Sequence, residues 1–311
     1  MRVIFEPRSS GFPVARNTGI GLGNFDGLHI GHAGLIKKLV QECHSRDLKS
    51  VIYTFIKHPE NILRRKLFTP QITTTKKKIE LLDEFNVNYL YLAEFDEKLS
   101  RMQPEEFIKR ILVDMFEIKL AVVGYDYRFG FEGSGDVALL EHYGTKYHFD
   151  VIVVPPVNLD SEIVSSTSIR KQLSYGYVDK VSKYLGRPYS IQGLVIKGRN
   201  VGTKIGFPTA NLLPEKYLII PRSGVYITQI SINGKLYNSV TNIGKNPTFK
   251  LNRVSVETHI LDFTDEIYNQ TVEVFFHQRI RGEKKFKSIE ELTNQINHDI
   301  TITRGFLHNR I

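Results

Sequence analysis

Tryptophan is absent from the 311 residues, and cysteine occurs once, at Cys43. One thiol can neither close an internal disulfide nor build a cysteine-ligated zinc site, which excludes oxidative staples and a zinc ribbon. Cys43 follows Leu39 and Val40 in a helical pattern and is expected in the core. Long apolar runs are missing as well. No stretch approaches the roughly 18 to 20 uninterrupted apolar residues of a membrane span, and the opening Met1–Phe12 lacks the apolar centre of a secretory signal. These absences predict a cytoplasmic protein with no membrane partner. Finger motifs, recognition-helix patterns and aromatic RNA platforms are also missing, which speaks against nucleic acid as the main partner. The chain carries no internal repeat and no low-complexity tract.

What is present reads as globular: 41% hydrophobic residues, 24% charged, 19 Phe and 15 Tyr. The length suggests two domains, each able to bury its own core. The net charge of +9 is unevenly spread. Residues 1–185 hold 25 Lys and Arg against 23 Asp and Glu, whereas residues 186–311 hold 17 against 10. The basic excess of the second part would draw an anionic ligand such as a nucleotide, and charge alone leaves a nucleic-acid footprint equally open.

The first 185 residues alternate short apolar runs (19–23, 50–55, 89–92, 120–123, 149–154) with amphipathic stretches (30–43, 76–85, 104–116, 137–147). That rhythm predicts a doubly wound α/β domain, whose parallel strands, Val151–Val154 among them, should be apolar on both faces. After Gly186-Arg187-Pro188 the helical period stops. Strand candidates follow at 189–196, 224–232, 236–243, 254–261 and 271–276, which predicts a small β-barrel. A helix over roughly Ser288–Thr303 closes the chain, with Ser288 and Glu291 spaced as a capping box. The expected domains are therefore 1–185 and 186–311.

Between a strand and a helix stands Gly23-Asn24-Phe25-Asp26-Gly27-Leu28-His29-Ile30-Gly31-His32. Backbone N–H groups at a helix start are unpaired and partly positive, which suits phosphate. His29 and His32, three apart, share one helix face and can serve the same phosphate chain, while Gly31 leaves room beside the backbone. A histidine pair at that spacing alone also suits helix capping. The whole string is more specific and resembles the His-x-Gly-His signature of the nucleotidyltransferase superfamily, in the form seen in bacterial FAD synthetases. Further segments resemble the same family: Phe55-Ile56-Lys57-His58-Pro59; Gly124-Tyr125-Asp126-Tyr127-Arg128-Phe129-Gly130, placed at a carboxyl strand end where α/β ligands collect; and Ser165-Ser166-Thr167-Ser168-Ile169-Arg170. Hydroxyls at a helix start with an arginine one turn in can bind triphosphate oxygens.

In the second half, Gly198-Arg199-Asn200-Val201-Gly202-Thr203-Lys204-Ile205-Gly206-Phe207 is a glycine-rich basic loop able to wrap N–H groups around phosphates. Pro208-Thr209-Ala210-Asn211, directly after it, resembles the signature of riboflavin kinase, in which the matching Thr209 and Asn211 would give oxygens to a nucleotide-bound Mg²⁺. Strand alternation over 254–261 puts Ser255, Glu257 and His259 on one face and Val254, Val256, Thr258 and Ile260 on the other. The segment from Glu257 to Phe263 resembles the family stretch whose glutamate takes the proton of the riboflavin 5′-hydroxyl. Asn242-Ile243-Gly244, Asn246–Phe249 and Arg279-Ile280-Arg281 match further. The motifs run in the order of the bacterial bifunctional riboflavin kinase/FMN adenylyltransferase family, over nearly the whole chain.

That resemblance implies a Rossmann-like nucleotidyltransferase domain followed by a six-stranded riboflavin kinase barrel, with ATP, riboflavin and FMN as substrates, FMN and FAD as products, and Mg²⁺. It implies His29, His32 and Arg170 as the charge-stabilising groups of adenylyl transfer and Glu257 as the base of the kinase. Nucleotide and flavin contacts would come from Gly23, Asn24, Phe25, Gly31, Phe55, His58, Pro59, Asp126, Arg128, Phe129, Ser165, Ser166 and Thr167 in the first half. In the second they would come from Gly198, Gly202, Lys204, Gly206, Phe207 and Arg279. Four positions depart from the pattern: Thr203 where the kinase loop often has arginine, Ser168 before the Ile-Arg pair, Tyr125 for an acidic residue, and Asn269 for glycine. Two other readings stand beside this one: a paralogue with one working half, separable by measuring FMN and FAD individually, and an RNA-binding regulator, separable by RNA retention that flavin and ATP do not compete away.

Overall fold

The structure, a computed structural model, describes residues 1–5, 16–56, 69–198, 201–245 and 254–308. They group into two compact units, Met1–Ser166 and Thr167–Ile311.

The first unit is a parallel six-stranded sheet made of β1 (Arg2–Phe5), β2 (Thr18–Leu22), β3 (Lys49–Phe55), β4 (Tyr89–Ala93), β5 (Ile118–Gly124) and β6 (Asp150–Val154). Its strand order is β1-β4-β3-β2-β5-β6, so the chain reverses its direction of travel at β2. Successive residues of one strand serve opposite faces. Val51, Tyr53 and Tyr91 join Phe107, Leu112, Phe116 and Leu140 in one core layer. Ile52, Leu90 and Leu92 join Leu35, Ile36, Leu39 and Cys43 in the other. Both faces are thus covered, the second by helix α1 (Ile30–Ser45) and helix α2 (Thr75–Asp83), the first by helix α3 (Val137–Tyr147) and the segment around Phe107–Phe116. Cys43 is buried, as expected, and burial pushes its thiol up to about 11, away from reactivity.

Two details differ from the sequence pattern. The 104–116 stretch begins as an α-turn, Pro104–Phe107, and widens into a π-helix, Ile108–Met115, which keeps Ile108, Leu112 and Met115 on the buried side. Val151–Val154 are only half-buried. The reason is position: β6 is the edge strand, so apolar residues on it lack a neighbour on one side.

A two-stranded antiparallel ladder, β7 (Asn158–Leu159) and β8 (Glu162–Ile163), follows the sheet, and the second unit holds a closed antiparallel barrel of β9 (Tyr189–Ile196), β10 (Ala210–Pro214), β11 (Gly224–Ile232), β12 (Lys235–Lys245), β13 (Val254–Ile260) and β14 (Thr271–Arg281), in the order β10-β13-β12-β11-β14-β9. A two-residue hairpin, Asn233-Gly234, joins β11 to β12 with both residues at positive φ, the twist-matched turn those residue types favour. Val256, Thr258 and Ile260 point into the barrel as the alternation requires, while Val254, at the start of its strand, is exposed. Thr228, Ser239, Thr241 and Thr258 are fully buried and bond one another through their hydroxyls at 2.8–2.9 Å, which satisfies polar groups that would otherwise weaken the core.

Helix α4 (Ser166–Tyr175) and helix α5 (Val178–Leu185) precede the barrel, and α5 packs on β14 and β9. Helix α6 (Ile289–His308) follows it and packs on β12 and β11. The cap works as its residues foretell, since the Glu291 amide donates to Ser288 Oγ at 3.1 Å; the Glu291 carboxylate accepts from the Lys287 amide, one residue earlier than a strict box. The helix is anchored by Asp299, whose nearly sealed carboxylate accepts from Arg281 Nε and Nη2 at 2.8–3.2 Å and from Gln295 at 3.0 Å. Replacing Asp299 by Asn keeps the shape and removes the charge. Loss of these charge-assisted bonds is expected to lower the unfolding free energy by about 2 kcal/mol, measured as a shift of the urea midpoint; an unchanged midpoint would mean the pair contributes nothing.

Candidate active sites

The first site lies where the chain reverses, outside the carboxyl end of β2, the place at which open α/β sheets collect ligands. The turn from Gly23 to His29 leads straight into α1, with His29 as N-cap. His29 Nδ1 accepts the His32 amide at 3.3 Å, which in a neutral ring leaves the proton on Nε2. The two imidazoles stack with centroids 3.6 Å apart and planes 17° from parallel, and Phe25 meets His32 edge-on at 5.2 Å. Gly31 makes room for the His29 ring: a β-carbon there would lie 3.1 Å from it. Burial, with His29 and Lys78 adding, holds His32 well below the usual histidine range. Its Nδ1 is buried with no hydrogen-bond partner among the described residues. His32 is therefore a neutral, fixed ring stacked on His29 at the helix start.

The turn is braced from below. Asp26 is buried, and its carboxylate accepts the amides of Ile72 and Thr73 at 3.0–3.1 Å. Ser166 Oγ donates to the Asp26 carbonyl at 2.8 Å, which ties the Ser165–Thr167 motif to the histidine turn. Lys78, on α2, donates to the Asn24 and Phe55 carbonyls at 2.8 and 3.3 Å. Gly23, Asn24, Phe25, Gly31 and Ser166 are thus gathered at the histidine turn, whereas Phe55 joins it only through its carbonyl, its ring packing edge-on to Tyr53 and Phe95. Asp126, Arg128 and Phe129 follow β5, the neighbour of β2. Asp126 and Arg128 are exposed, with Arg128 paired to Asp136 at 3.4 Å. Phe129 is a core residue packed on Phe107 and Tyr127, both at 5.6 Å, so its ring supports the loop. Arg170 sits one turn into α4, in the second unit. His58 and Pro59 lie outside the described residues. The sequence reading passed over Asp26, Thr73 and Lys78; a threonine run followed by lysines reads as a capped, solvated helix, and only the fold brings it under the turn.

The second site is on the barrel wall. Asn211 of β10 stands in register with Glu257 of β13, and Glu257 in turn with Asn242 of β12, so the three lie in one row across adjacent strands. Residues paired across strands share a face, and Glu257 is half-buried there. Gly198 faces Asn211 so closely that a β-carbon would fall 2.2 Å from Asn211 Nδ2. The loop between β9 and β10 folds as a short turn, Val201–Lys204, closed by the Phe207 amide on the Gly202 carbonyl at 2.8 Å and by Gly206 at positive φ. Lys204 is exposed and Phe207 half-buried, its ring edge-on to His259 at 5.7 Å. His259 Nδ1 bonds the Pro208 carbonyl at 2.8 Å, fastening the strand to the signature. Thr209 and Asn211, two apart, offer hard oxygen donors, a set that fits Mg²⁺ carried by a nucleotide. Arg279 stands apart from this row: β14 is opposite β13 in the strand order, and the guanidinium donates to the Ser223 carbonyl at 2.6 Å. Arg199, Asn200 and Asn246–Phe249 lie outside the described residues.

Comparison with known proteins bears on both sites. The FAD synthetase family model matches residues 12–168, and the riboflavin kinase family model matches residues 185–307. A bifunctional riboflavin kinase/FMN adenylyltransferase from Buchnera aphidicola subsp. Schizaphis graminum is 34% identical over 95% of this chain and 96% of its own. The protein of that description from Bacillus subtilis is 34% identical, covering 90% and 89%. A solved structure described as a macrolide-efflux protein from Streptococcus pneumoniae superposes with a TM-score of 0.89 at 31% identity, covering 98% and 99%.

Proposed function

The chain belongs to the bifunctional riboflavin kinase/FMN adenylyltransferase family, and from that premise we propose how its own residues divide the two reactions. The protein phosphorylates riboflavin with ATP to give FMN, and transfers the adenylyl group of a second ATP to FMN to give FAD and pyrophosphate. Residues 186–311 carry the first step and residues 1–185 the second. The observation that carries this division is that each half has its own constellation, a stacked histidine pair at a helix start in one and a glutamate between two asparagines on a barrel wall in the other.

In the kinase the nucleophile is a neutral hydroxyl, so a base is useful. Glu257 accepts its proton as the oxygen attacks the γ-phosphorus, whose bond to the β–γ bridging oxygen breaks to release ADP. Thr209 and Asn211 would hold the nucleotide's Mg²⁺, which when bound would neutralise charge on the phosphates. The Gly198–Phe207 loop, with Lys204, covers the phosphate chain. In the adenylyltransferase the FMN phosphate is already anionic at neutral pH. That site has to align the phosphate with the α-phosphorus and stabilise the departing pyrophosphate, which His29 and His32, the amides at the start of α1 and Arg170 do by donating hydrogen bonds, while Ser166 holds the turn through the Asp26 carbonyl. Gly23, Asn24, Phe25 and Gly31 shape the nucleotide side, and Asp126 and Arg128 the flavin side. No helix among the described residues is long and apolar enough to cross a membrane; a cytoplasmic location suits the supply of ATP and a free buried thiol.

The test is a time course. With riboflavin, ATP and Mg²⁺, chromatography should show FMN rising first and FAD following, because the first product is the second substrate. FMN without FAD, or FAD from added FMN but none from riboflavin, would leave only one working half. No flavin product under several metal and reducing conditions would sink the reading.

A further inference from the structure

We propose that Lys78 is a positioning residue for adenylyl transfer, clamping the Gly23–Leu28 turn to the end of β3 so that the turn's backbone and His32 meet the phosphate chain in a fixed geometry. The proposal rests on the assignment of adenylyl transfer to the histidine site. Lys78 lies in the first turn of α2 and is only 7% exposed. Its ammonium donates to Asn24 O at 2.8 Å, Phe55 O at 3.3 Å and Thr54 Oγ1 at 3.4 Å, which accounts for all three N–H bonds. Thr54 Oγ1 donates to the same Asn24 carbonyl at 2.9 Å. Two donors thus hold one carbonyl of the turn. A trans peptide is planar, so a carbonyl drawn toward Lys78 turns the next amide, Phe25 N–H, to the opposite side.

The turn needs such a clamp. Phe25 and Leu28 adopt positive φ, +46° and +45°, a region that side-chain-bearing residues occupy only when their surroundings over-determine it. The restraints come from one segment, residues 72–78: the amides of Ile72 and Thr73 hold Asp26, and Lys78 holds Asn24. A buried cation is an expensive way to fill that space if filling were all that is required, since methionine has nearly the same shape and no charge to desolvate. Burial pushes Lys78 down to about 8, with Asp26 opposing. The titratable groups facing it are Asp26 from the turn and His32 from α1; β3 presents the Thr54 hydroxyl and the Phe55 carbonyl, and on its own helix Lys77 pairs with Glu80. Loss of the proton as pH rises removes both the charge and one of three donors, so the clamp loosens on the alkaline side.

The experiment uses the full chain and reads both reactions from one preparation. Lys78→Met is expected to lower kcat for FMN-to-FAD conversion about 30- to 100-fold, with KM for FMN within threefold and riboflavin phosphorylation unchanged. In the wild type the FAD-forming rate should decline above about pH 8, while Lys78→Arg, charged throughout, should keep its rate to pH 9.5. A folded Lys78→Met with wild-type kcat overturns the proposal, and so does a wild-type FAD profile flat from pH 7 to 9.5. That second measurement decides the matter if the variants fail to fold. A wild-type chain that makes FMN but no FAD at any pH would instead overturn the assignment of the histidine site.

Discussion

Glu257→Gln is expected to cut FMN formation from riboflavin by about 10²- to 10⁴-fold, the usual worth of a positioned general base, while FMN-to-FAD conversion proceeds as before. Glutamine is isosteric with glutamate, and position 257 is a half-buried point on a strand paired on both sides, with Asn211 across one ladder and Asn242 across the other. Fold and neighbours therefore survive the change, and what is lost is the ability to take a proton. A strand glutamate that merely faces solvent predicts something different, a surface substitution within roughly half a kcal/mol of stability and no effect on either rate. Chromatographic rates of FMN and FAD formation, measured separately, discriminate between the two. An unchanged phosphorylation rate removes Glu257 from the kinase mechanism, and the row Asn211–Glu257–Asn242 would then be a structural ladder only.

The second large effect concerns the stacked imidazoles. His32→Ala should slow FAD formation roughly a hundredfold, about 3 kcal/mol for one preorganised donor at a site of developing charge. Phosphorylation of riboflavin should continue. His29→Ala should lose a comparable factor and also about 1 kcal/mol of stability, because His29 Nδ1 caps the His32 amide and alanine cannot. The rings touch face to face and would serve the same triphosphate, so the double variant should fall short of the sum of the two. A further consequence follows from burial of His32. Its pKa is depressed, so it stays neutral as pH falls through the ordinary histidine range and protonates only well below it; the acid limb of FAD formation assigned to it should lie correspondingly low. Turnover per folded molecule, set beside the melting temperature, tells catalysis from capping. A folded His32→Ala protein with normal FAD synthesis would refute the catalytic role.

Much of this is legible in the amino-acid sequence. The alternation of apolar runs and amphipathic stretches specified the doubly wound half, because a strand buried on both faces and a helix buried on one leave different periods in a chain. The Ser288 cap, the buried Cys43 and the split of the 254–261 strand into two faces followed from local chemistry alone. Motif strings placed both histidines, Glu257, Thr209 and Asn211. β10 was missed, since Ala210–Pro214 carries an asparagine and a proline and is too short to show a period. The edge position of β6 was unreadable for a different reason: Val-Ile-Val-Val looks the same whether a strand has one neighbour or two.

Residues whose work depends on partners far along the chain were settled only by the fold. Asp26 and Lys78 look like ordinary charged positions, yet one holds the amides of residues 46 and 47 places away and the other the carbonyl of a residue 54 places away. Phe129 and Arg279 matched family segments by type, but packing put the first in a core layer and strand order put the second opposite the glutamate. By itself the sequence determined the two-part architecture and the two chemistries, and singled out the groups proposed to act in them, because those rest on local periodicity and on short strings. The tertiary structure alone decided which side chains hold those groups in place, because bracing requires contacts between segments whose separation along the chain carries no local signal.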